Sequence, residues 1–420
     1  MVPYERPSRE RPAMVTTTPR GLLYNPFDPG LRADPYPVYR VLRETDPVHR
    51  SPLGFWVISR HAEVVAIQRD PQLGFSPTSF AARAEQAGGD PAGPVARVAS
   101  RWLLFTDPSR HRRFRRIMGR FFAPQNIAAL RPVVAGITAE LLDAIDPAEP
   151  VDLIGQLARP LPVRVLGAWL GLPDSDRWRW RAWSESIGRV LESVLNPEVM
   201  RSLSHSVLEC DQYLREQLAR QRSDPSDGIL SGFASMRYDG QLLEDDEIVS
   251  YVSLLFGAAY ETTVNLIGNG LLALIRNPGQ QMLLREEPGL IASAVEEFLR
   301  YDSPAQLHGR WTFESCQAGG VEIPAGNRLI ILMGSANRDP DRYADPDQLD
   351  ITRPDPRPTS FSGGPHNCLG APLARLEAQT AIPMVLDRFR TIGPVTAPLS
   401  WRAEHIAIRA LTSLPVRVTH

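Results

Sequence analysis

The sequence predicts a mainly α fold of the α+β class, a large helical body joined to a smaller β-rich subregion. Three observations predict it. Helical patterning dominates from about Pro108 to Arg300. Within that span, Glu244–Ile275 is apolar on nearly every side and, at about 1.5 Å per residue, long enough to cross a whole domain. Strand-like runs fall near both ends of the chain, so the β-rich part must be assembled from both ends.

Taken in order, Met1–Arg20 is rich in Pro, Arg and Thr and is expected to be a disordered tail, with residues 21–420 forming a single domain. Gly54–Ser59 reads as a strand. Helices are expected over Ser109–Phe122, Gln125–Ile145, Ile154–Leu170, Asp176–Val194 and Pro197–Arg222. The long helix opens on Glu244, Asp245, Asp246 and Glu247, which suit the positive end of a helix dipole, and stops before Asn277-Pro278. Val321–Pro324, Arg328–Met333 and Leu414–Val418 complete the strands.

The 420 residues are 43% hydrophobic and 22% charged, enough for a large core. A net charge of -2 gives no electrostatic reason to expect nucleic acid or an anionic membrane as a partner. Every one of the 46 basic residues is arginine, which fits a compositional bias. Cys210, Cys316 and Cys368 are too scattered for a disulfide framework, a zinc site or a four-cysteine iron–sulfur cluster. No run reaches the roughly 18 apolar residues of a membrane span, and no apolar stretch follows the N-terminal arginines as in a secretory signal. A soluble, cytoplasmic protein is expected.

The most informative stretch is Phe361-Ser-Gly-Gly-Pro-His-Asn-Cys-Leu-Gly370, after which Ala371-Pro-Leu-Ala-Arg375 opens a helix. A cysteine just ahead of a helix N-terminus sits where free amides favour its thiolate. Gly363 and Gly364 allow backbone shapes closed to other residues, and Gly370 lets the chain pass close to a flat group. A lone cysteine in a glycine turn is ordinarily an inert buried thiol; the spacing around Cys368 argues otherwise.

That spacing resembles the haem loop of the cytochrome P-450 family, F-G-x-G-x-H-x-C-x-G. Phe361, Gly364, His366, Cys368 and Gly370 match, and Ser362 stands where the family usually has glycine. Glu297-Phe-Leu-Arg300 is similar to the family's Glu-x-x-Arg pair, with Arg353 placed to complete it as a structural network. Gly257-Ala-Ala-Tyr-Glu-Thr-Thr263 resembles A-G-x-E-T-T, with Ala259 in place of glycine and Tyr260 where histidine is frequent. His111 and Arg115 match an H-x-x-x-R pair, and Arg310 stands at a further arginine position. The matches run from about Leu31 to Val418.

The resemblance implies the family's triangular helical body, with haem b between the long central helix and the helix after the cysteine loop. It implies Cys368 as the metal ligand, a thiolate whose electron donation to iron favours O–O cleavage. Ala258 and Ala259 would let the helix approach the cofactor. Thr262, its hydroxyl turned to the Ala258 carbonyl, and Glu261 as a proton source would serve oxygen activation. His111, Arg115, Arg310 and His366 would meet the propionates, with Phe361, Gly364 and Gly370 shaping the loop. The function implied is a monooxygenase acting on a small organic substrate in secondary metabolism, fed by an external ferredoxin and ferredoxin reductase. Aryl coupling, ring closure, peroxide-driven oxidation or a non-catalytic recruitment role on the same fold are the alternatives. Arginines 110, 112, 113, 116 and 120 would form a docking face for an acidic electron donor. The Tyr260 hydroxyl either packs in the core or joins a polar chain with Glu261. The substrate pocket is expected to draw on the loop between Phe75 and Trp102, Glu185–Ser204, Leu254–Thr263, Ala305–Gly309 and Glu404–Ile408. Arg83, Arg97 and Arg101 are read as solvated loop residues.

Overall fold

Short apolar runs from the two ends of the chain find each other because each has one face to bury. A computed structural model of the protein describes residues 17–18, 21–22, 24–74, 90–192, 197–393, 397–402 and 406–419. In it, strands β1 (Val48–Arg50), β2 (Trp56–Ile58), β3 (Leu73–Gly74), β4 (His308–Thr312) and β5 (Arg328–Ile331) form one sheet in the order β1-β2-β5-β4-β3. The junction between the ends is parallel, with Leu329 opposite Trp56, and the other pairs are antiparallel. Val57, Ile58, Leu329 and Ile331 are fully buried there. Of the tail expected over residues 1–20, Thr17–Thr18 pairs with Gly21–Leu22; the rest lies outside the described residues.

The helical body surrounds six elements that position the site: α1 (Pro108–Gly119), α2 (Pro160–Leu170), α3 (Arg177–Glu192), α4 (Asp245–Arg276), α5 (Ile291–Tyr301) and α6 (Ala371–Arg388). Helix α4 is the expected long helix, 32 residues, buried along nearly all its length, with Asp245, Asp246 and Glu247 in its first turn. Helix α3 crosses it backbone to backbone at Gly188 and Gly257. A Cβ on Gly257 would stand 2.5 Å from Ile187 Cγ2 and 2.9 Å from the Gly188 nitrogen, so glycine is required at that crossing.

Three expectations are corrected. The helix expected over Gln125–Ile145 is two, Pro124–Ala128 and Arg131–Asp143, broken ahead of Pro132, whose ring disfavours a continuous helix. The helix expected over Ile154–Leu170 begins as a π-helical turn, Ile154–Ala158, and restarts at Pro160, which lacks the N–H that a continuing ladder needs. The run Leu414–Val418 divides into two bridging strands, Pro415–Val416 against Val151–Asp152 and Val418–Thr419 against Thr391–Ile392.

Helix α4 also carries polar groups that its apolar composition hid. Glu261, Asn265 and Asn269 recur every four residues and so share one face. The C-terminal segment satisfies them: Arg402 pairs with Glu261, the Leu411 N–H donates to Asn265 Oδ1 at 3.1 Å, and Asn269 Nδ2 donates to the Arg409 carbonyl at 3.3 Å. A second buried network ties α5 to the approach to the cysteine loop. Glu297 and Arg300, neither of them exposed, pair at 2.7 Å through both carboxylate oxygens, and Arg353 Nε reaches Glu297 Oε2 at 3.2 Å.

Candidate active site

The cysteine loop is shaped before it carries any chemistry. Thr359–Phe361 makes a single 3₁₀ turn, and the Cys368 N–H returns to the Phe361 carbonyl at 2.8 Å, closing the loop. Gly364 adopts φ +60°, and a Cβ there would stand 2.8 Å from Arg69 Cα, so a side chain is excluded twice. Gly363 is simply extended, at φ -152°. The loop delivers Cys368 to the N-terminus of α6. There its thiol opens onto a cavity yet is enclosed enough that burial pushes its pKa up, against the pull of the Gly370 and Ala371 amides, Arg115 and Arg375. Among the described residues, its chain neighbours aside, a Cβ on Gly370 would meet the Cys368 sulfur at 4.0 Å, so this glycine lies directly beside the sulfur.

The cavity, about 210 Å³, lies between the cysteine loop with α6 on one side and α4 on the other. Its α4 wall is Leu254, Leu255, Ala258, Ala259, Thr262 and Thr263. The Thr262 hydroxyl donates to the Ala258 carbonyl at 3.1 Å, which turns its oxygen lone pairs to the cavity. Phe361, its ring 4.5 Å from the Arg375 guanidinium, closes the wall beside the cysteine.

One edge is lined with the basic side chains His111, Arg115 and His366, with the buried Arg310 close by. Asp107 caps α1 by accepting from the Ser109 and Arg110 amides at 2.9 and 3.0 Å, which aims His111 and Arg115 at the cavity. The His111 and His366 rings lie 4.4 Å apart. Burial, followed by Arg115, Arg112 and Arg310, pulls His111 down to about 4; burial, Arg310, His111 and Arg115 pull His366 down to about 3. Burial lowers Arg310 on β4 to about 9. Every charged neighbour that moves these histidines is cationic or a second histidine, and buried His111 Nε2 has no hydrogen-bond partner among the described residues.

Such an edge needs an anion, and the cavity needs a flat apolar body against Ala258, Ala259 and the cysteine sulfur. Haem, with its two propionates and an iron that accepts a thiolate, matches both requirements. Cys368 would hold the iron, and His111, Arg115 and His366 would face the propionates, backed by the buried charge of Arg310.

Not every expected residue faces the cavity. Gly364 lies against the helix His61–Arg69. Arg310 stands behind the wall, where Nη2 donates to Ser362 Oγ and Nη1 to the Gly309 carbonyl, both at 3.2 Å. Glu261 is turned away, held by Arg402 and by Asn265 Nδ2, because the C-terminal segment packs on that face of α4. The Tyr260 hydroxyl donates to Glu185 Oε1 at 3.4 Å and joins no chain with Glu261. Residues 305–309 do not line the cavity; Ala305 bridges Ile408 instead. Arg101 pairs with Asp246 at 2.8 Å and Arg97 Nη1 meets the Ala92 carbonyl. Arg83 and Glu404 lie outside the described residues, as do parts of the pocket loops around residues 75–89 and 193–196.

One residue on the wall escaped the sequence reading. Glu377, nine residues after Cys368, is 1% exposed, and its Oε2 has no partner among the described residues. Burial pushes its pKa up to about 8, so it carries its proton at neutral pH. The signal was available: Leu373, Ala374 and Glu377 share one helix face, a lone carboxylate in an apolar stripe.

A cysteine at a helix N-terminus, under a small-residue helix and beside a basic edge, fits what a haem-thiolate centre requires. The chain belongs to the cytochrome P-450 family and is a monooxygenase of that family, with haem as its cofactor. The family model "Cytochrome P-450" matches residues 198–406. The chain is 37% identical over 400 residues to cytochrome P-450 107B1 of Saccharopolyspora erythraea, covering 93% of this chain and 96% of that one. It is 32% identical to the polyketide biosynthesis cytochrome P-450 PksS of Bacillus subtilis, covering 95% and 99% respectively. The crystal structure of CalO2 superposes with a TM-score of 0.87 at 33% identity, over 94% of this chain and 99% of that one.

Glu377 generates a pH prediction. Its folded pKa, about 8, lies above the unfolded value of 4.5. Between those values the unfolded chain releases the proton and the folded chain keeps it, so stability from this group falls as pH rises through the window. Glu377→Gln should remove up to about 1.4 kcal/mol of that loss per pH unit. Urea unfolding of both proteins at pH 5 and pH 8 measures it; parallel pH dependences would show that the carboxyl ionises in the fold as freely as in water.

Proposed function

We propose that the chain oxidises a small, predominantly apolar organic molecule in secondary metabolism, using haem b, dioxygen and two electrons from a separate ferredoxin and its reductase. The observation that carries the reading is Cys368 at the N-terminus of α6, opening onto an apolar cavity whose opposite wall is Ala258, Ala259 and Thr262. Bound haem supplies the redox chemistry that puts one atom of dioxygen into substrate and releases the other as water. The residues of the chain do the rest. Burial holds the free Cys368 thiol up, against the Gly370 and Ala371 amides and Arg115, and as the thiolate this sulfur would anchor the iron. Leucines 254 and 255 exclude water and favour an uncharged substrate.

Proton handling at the α4 wall falls to Thr262. Thr262, its own hydrogen committed to Ala258, accepts from a water at the cavity wall and orients it. Glu377 carries its proton at neutral pH on the opposite, α6 wall, the side of Cys368. Glu261 lies one residue before Thr262 and is paired with Arg402.

The electron donor would meet α1. Arg110, Arg112, Arg116 and Arg120 are exposed, whereas Arg113 is held by Glu247 at 3.0 and 3.1 Å and is withdrawn from the expected docking set. A cytoplasmic location suits such a donor. Among the described residues no helix is long and apolar enough to cross a membrane.

Replacing Cys368 with Ala should abolish the strongly red-shifted Soret band of the reduced carbon monoxide complex; an unaltered band would identify another ligand. Thr262→Ala should leave that band and substrate affinity intact while product formed per reducing equivalent drops roughly 10-fold, the surplus appearing as peroxide. Unchanged coupling removes Thr262 from proton handling. Arg112→Glu should slow reduction by a matched ferredoxin several-fold at low salt, with the difference vanishing at high salt. Reduction of the native protein that is insensitive to salt would place the donor elsewhere.

A further inference from the structure

Ser362 stands in a backbone shape that only glycine adopts freely, φ 58° and ψ -165°. Strain of this kind survives where the surroundings over-determine the chain, and here they do. The Thr359 N–H and hydroxyl both reach Asn337 Oδ1, at 2.7 and 2.9 Å. The Ser360 hydroxyl donates to the Leu299 carbonyl at 2.8 Å and accepts from Asn337 Nδ2 at 2.9 Å. The Ser362 N–H closes on the Thr359 carbonyl at 2.8 Å. Glycine would fit this shape without strain, and the serine brings a hydroxyl that glycine lacks.

What it contributes is a contact with Arg310. Ser362 Oγ accepts from Arg310 Nη2 at 3.2 Å, and Arg310 is 1% exposed. This guanidinium lies on β4, close enough to His111 and His366 for its charge to act on both rings. A guanidinium recognises an anion through the direction of its N–H groups, so fixing one of them sets where the others point. We propose that Ser362 is a positioning residue, held in a strained backbone so that its hydroxyl aims the buried Arg310 guanidinium at the anionic edge of bound haem. This role rests on the haem-thiolate reading of the cavity.

The proposal separates the hydroxyl from the loop. Ser362→Gly relieves the backbone and deletes the hydroxyl, and Ser362→Ala deletes the hydroxyl alone. In both variants, haem transfer from the purified ferric protein to excess apomyoglobin should be about 10-fold faster than in the native protein, as for a lost hydrogen bond to a charged group. The midpoint potential should shift negative in both, because a less well aimed cation stabilises the reduced haem less. In an Arg310→Ala background, Ser362→Gly should change neither quantity further. Native rates and potentials in both variants overturn the proposal, as do effects that simply add to those of Arg310→Ala, or faster transfer in Ser362→Ala only. A native protein that takes up no haem overturns the reading beneath the proposal and the proposal with it.

Discussion

The buried guanidinium of Arg300 is the contact on which the geometry of the cysteine loop depends. Its five N–H groups are all engaged: Nε and one Nη2 hydrogen on Glu297, the other on the Gln348 carbonyl, and Nη1 on the carbonyls of Asn337 and Pro346. Glu297 in turn accepts from Arg353 and from the Asp350 amide at 2.9 Å. A buried ion pair contributes little net stability over an apolar packing, but breaking one costs about 3–5 kcal/mol because it strands a charge. Its value here is placement. The irregular chain between Asn337 and Arg353 has no ladder to hold it, and one side chain from α5 fixes three of its carbonyls. Asn337 passes that order on, with its own side chain gripping Thr359 and Ser360 where the loop begins.

Electrostatics explain why such rigidity is needed at the cavity. Arg115 and Arg310, with His111 and His366, form a basic edge in which burial first, and the arginines next, hold both histidines neutral. The arginines are kept in place by bonds that do not neutralise them: Arg115 Nη1 to the Asn367 carbonyl at 2.8 Å, and Arg310 to Gly309 and Ser362. Such an edge is preorganised for a dianion, and the cost of assembling it is met in folding rather than on binding.

What the sequence revealed, and what it hid, follows from the range of the forces involved. The cysteine loop, the alanines of α4 and Thr262 with its bond to Ala258 were legible because spacing along a few residues determines them. The Glu297–Arg300 pair was legible for the same reason. The direction of Glu261 was not, because its partner Arg402 is 141 residues away and an all-round apolar helix offers no face signal. Ser362 showed itself only as a departure from a glycine position; its backbone angle explains why the position matters. Glu377 was overlooked although its helix face was readable, since a single carboxylate among apolar neighbours is weak evidence until burial is known. The two broken helices had prolines at their breaks, Pro132 and Pro160, which periodicity alone outweighed.

One turn of α4 shows how tightly these demands are combined. Successive residues on a helix point about 100° apart, and Tyr260, Glu261 and Thr262 face three different neighbours. Tyr260 meets Glu185 on α3, Glu261 meets Arg402 of the C-terminal segment, and Thr262 meets the cavity. Rotating this turn to improve any one contact loses the other two. The Gly188–Gly257 crossing, just N-terminal to it, leaves no slack for the helix to slide. The Ala258 carbonyl sets the Thr262 hydroxyl, and the turn that presents it is held by two elements that, among the described residues, do not line the cavity. A substitution at Glu185 or Arg402 should act on the chemistry by turning Thr262, without altering what lines the wall.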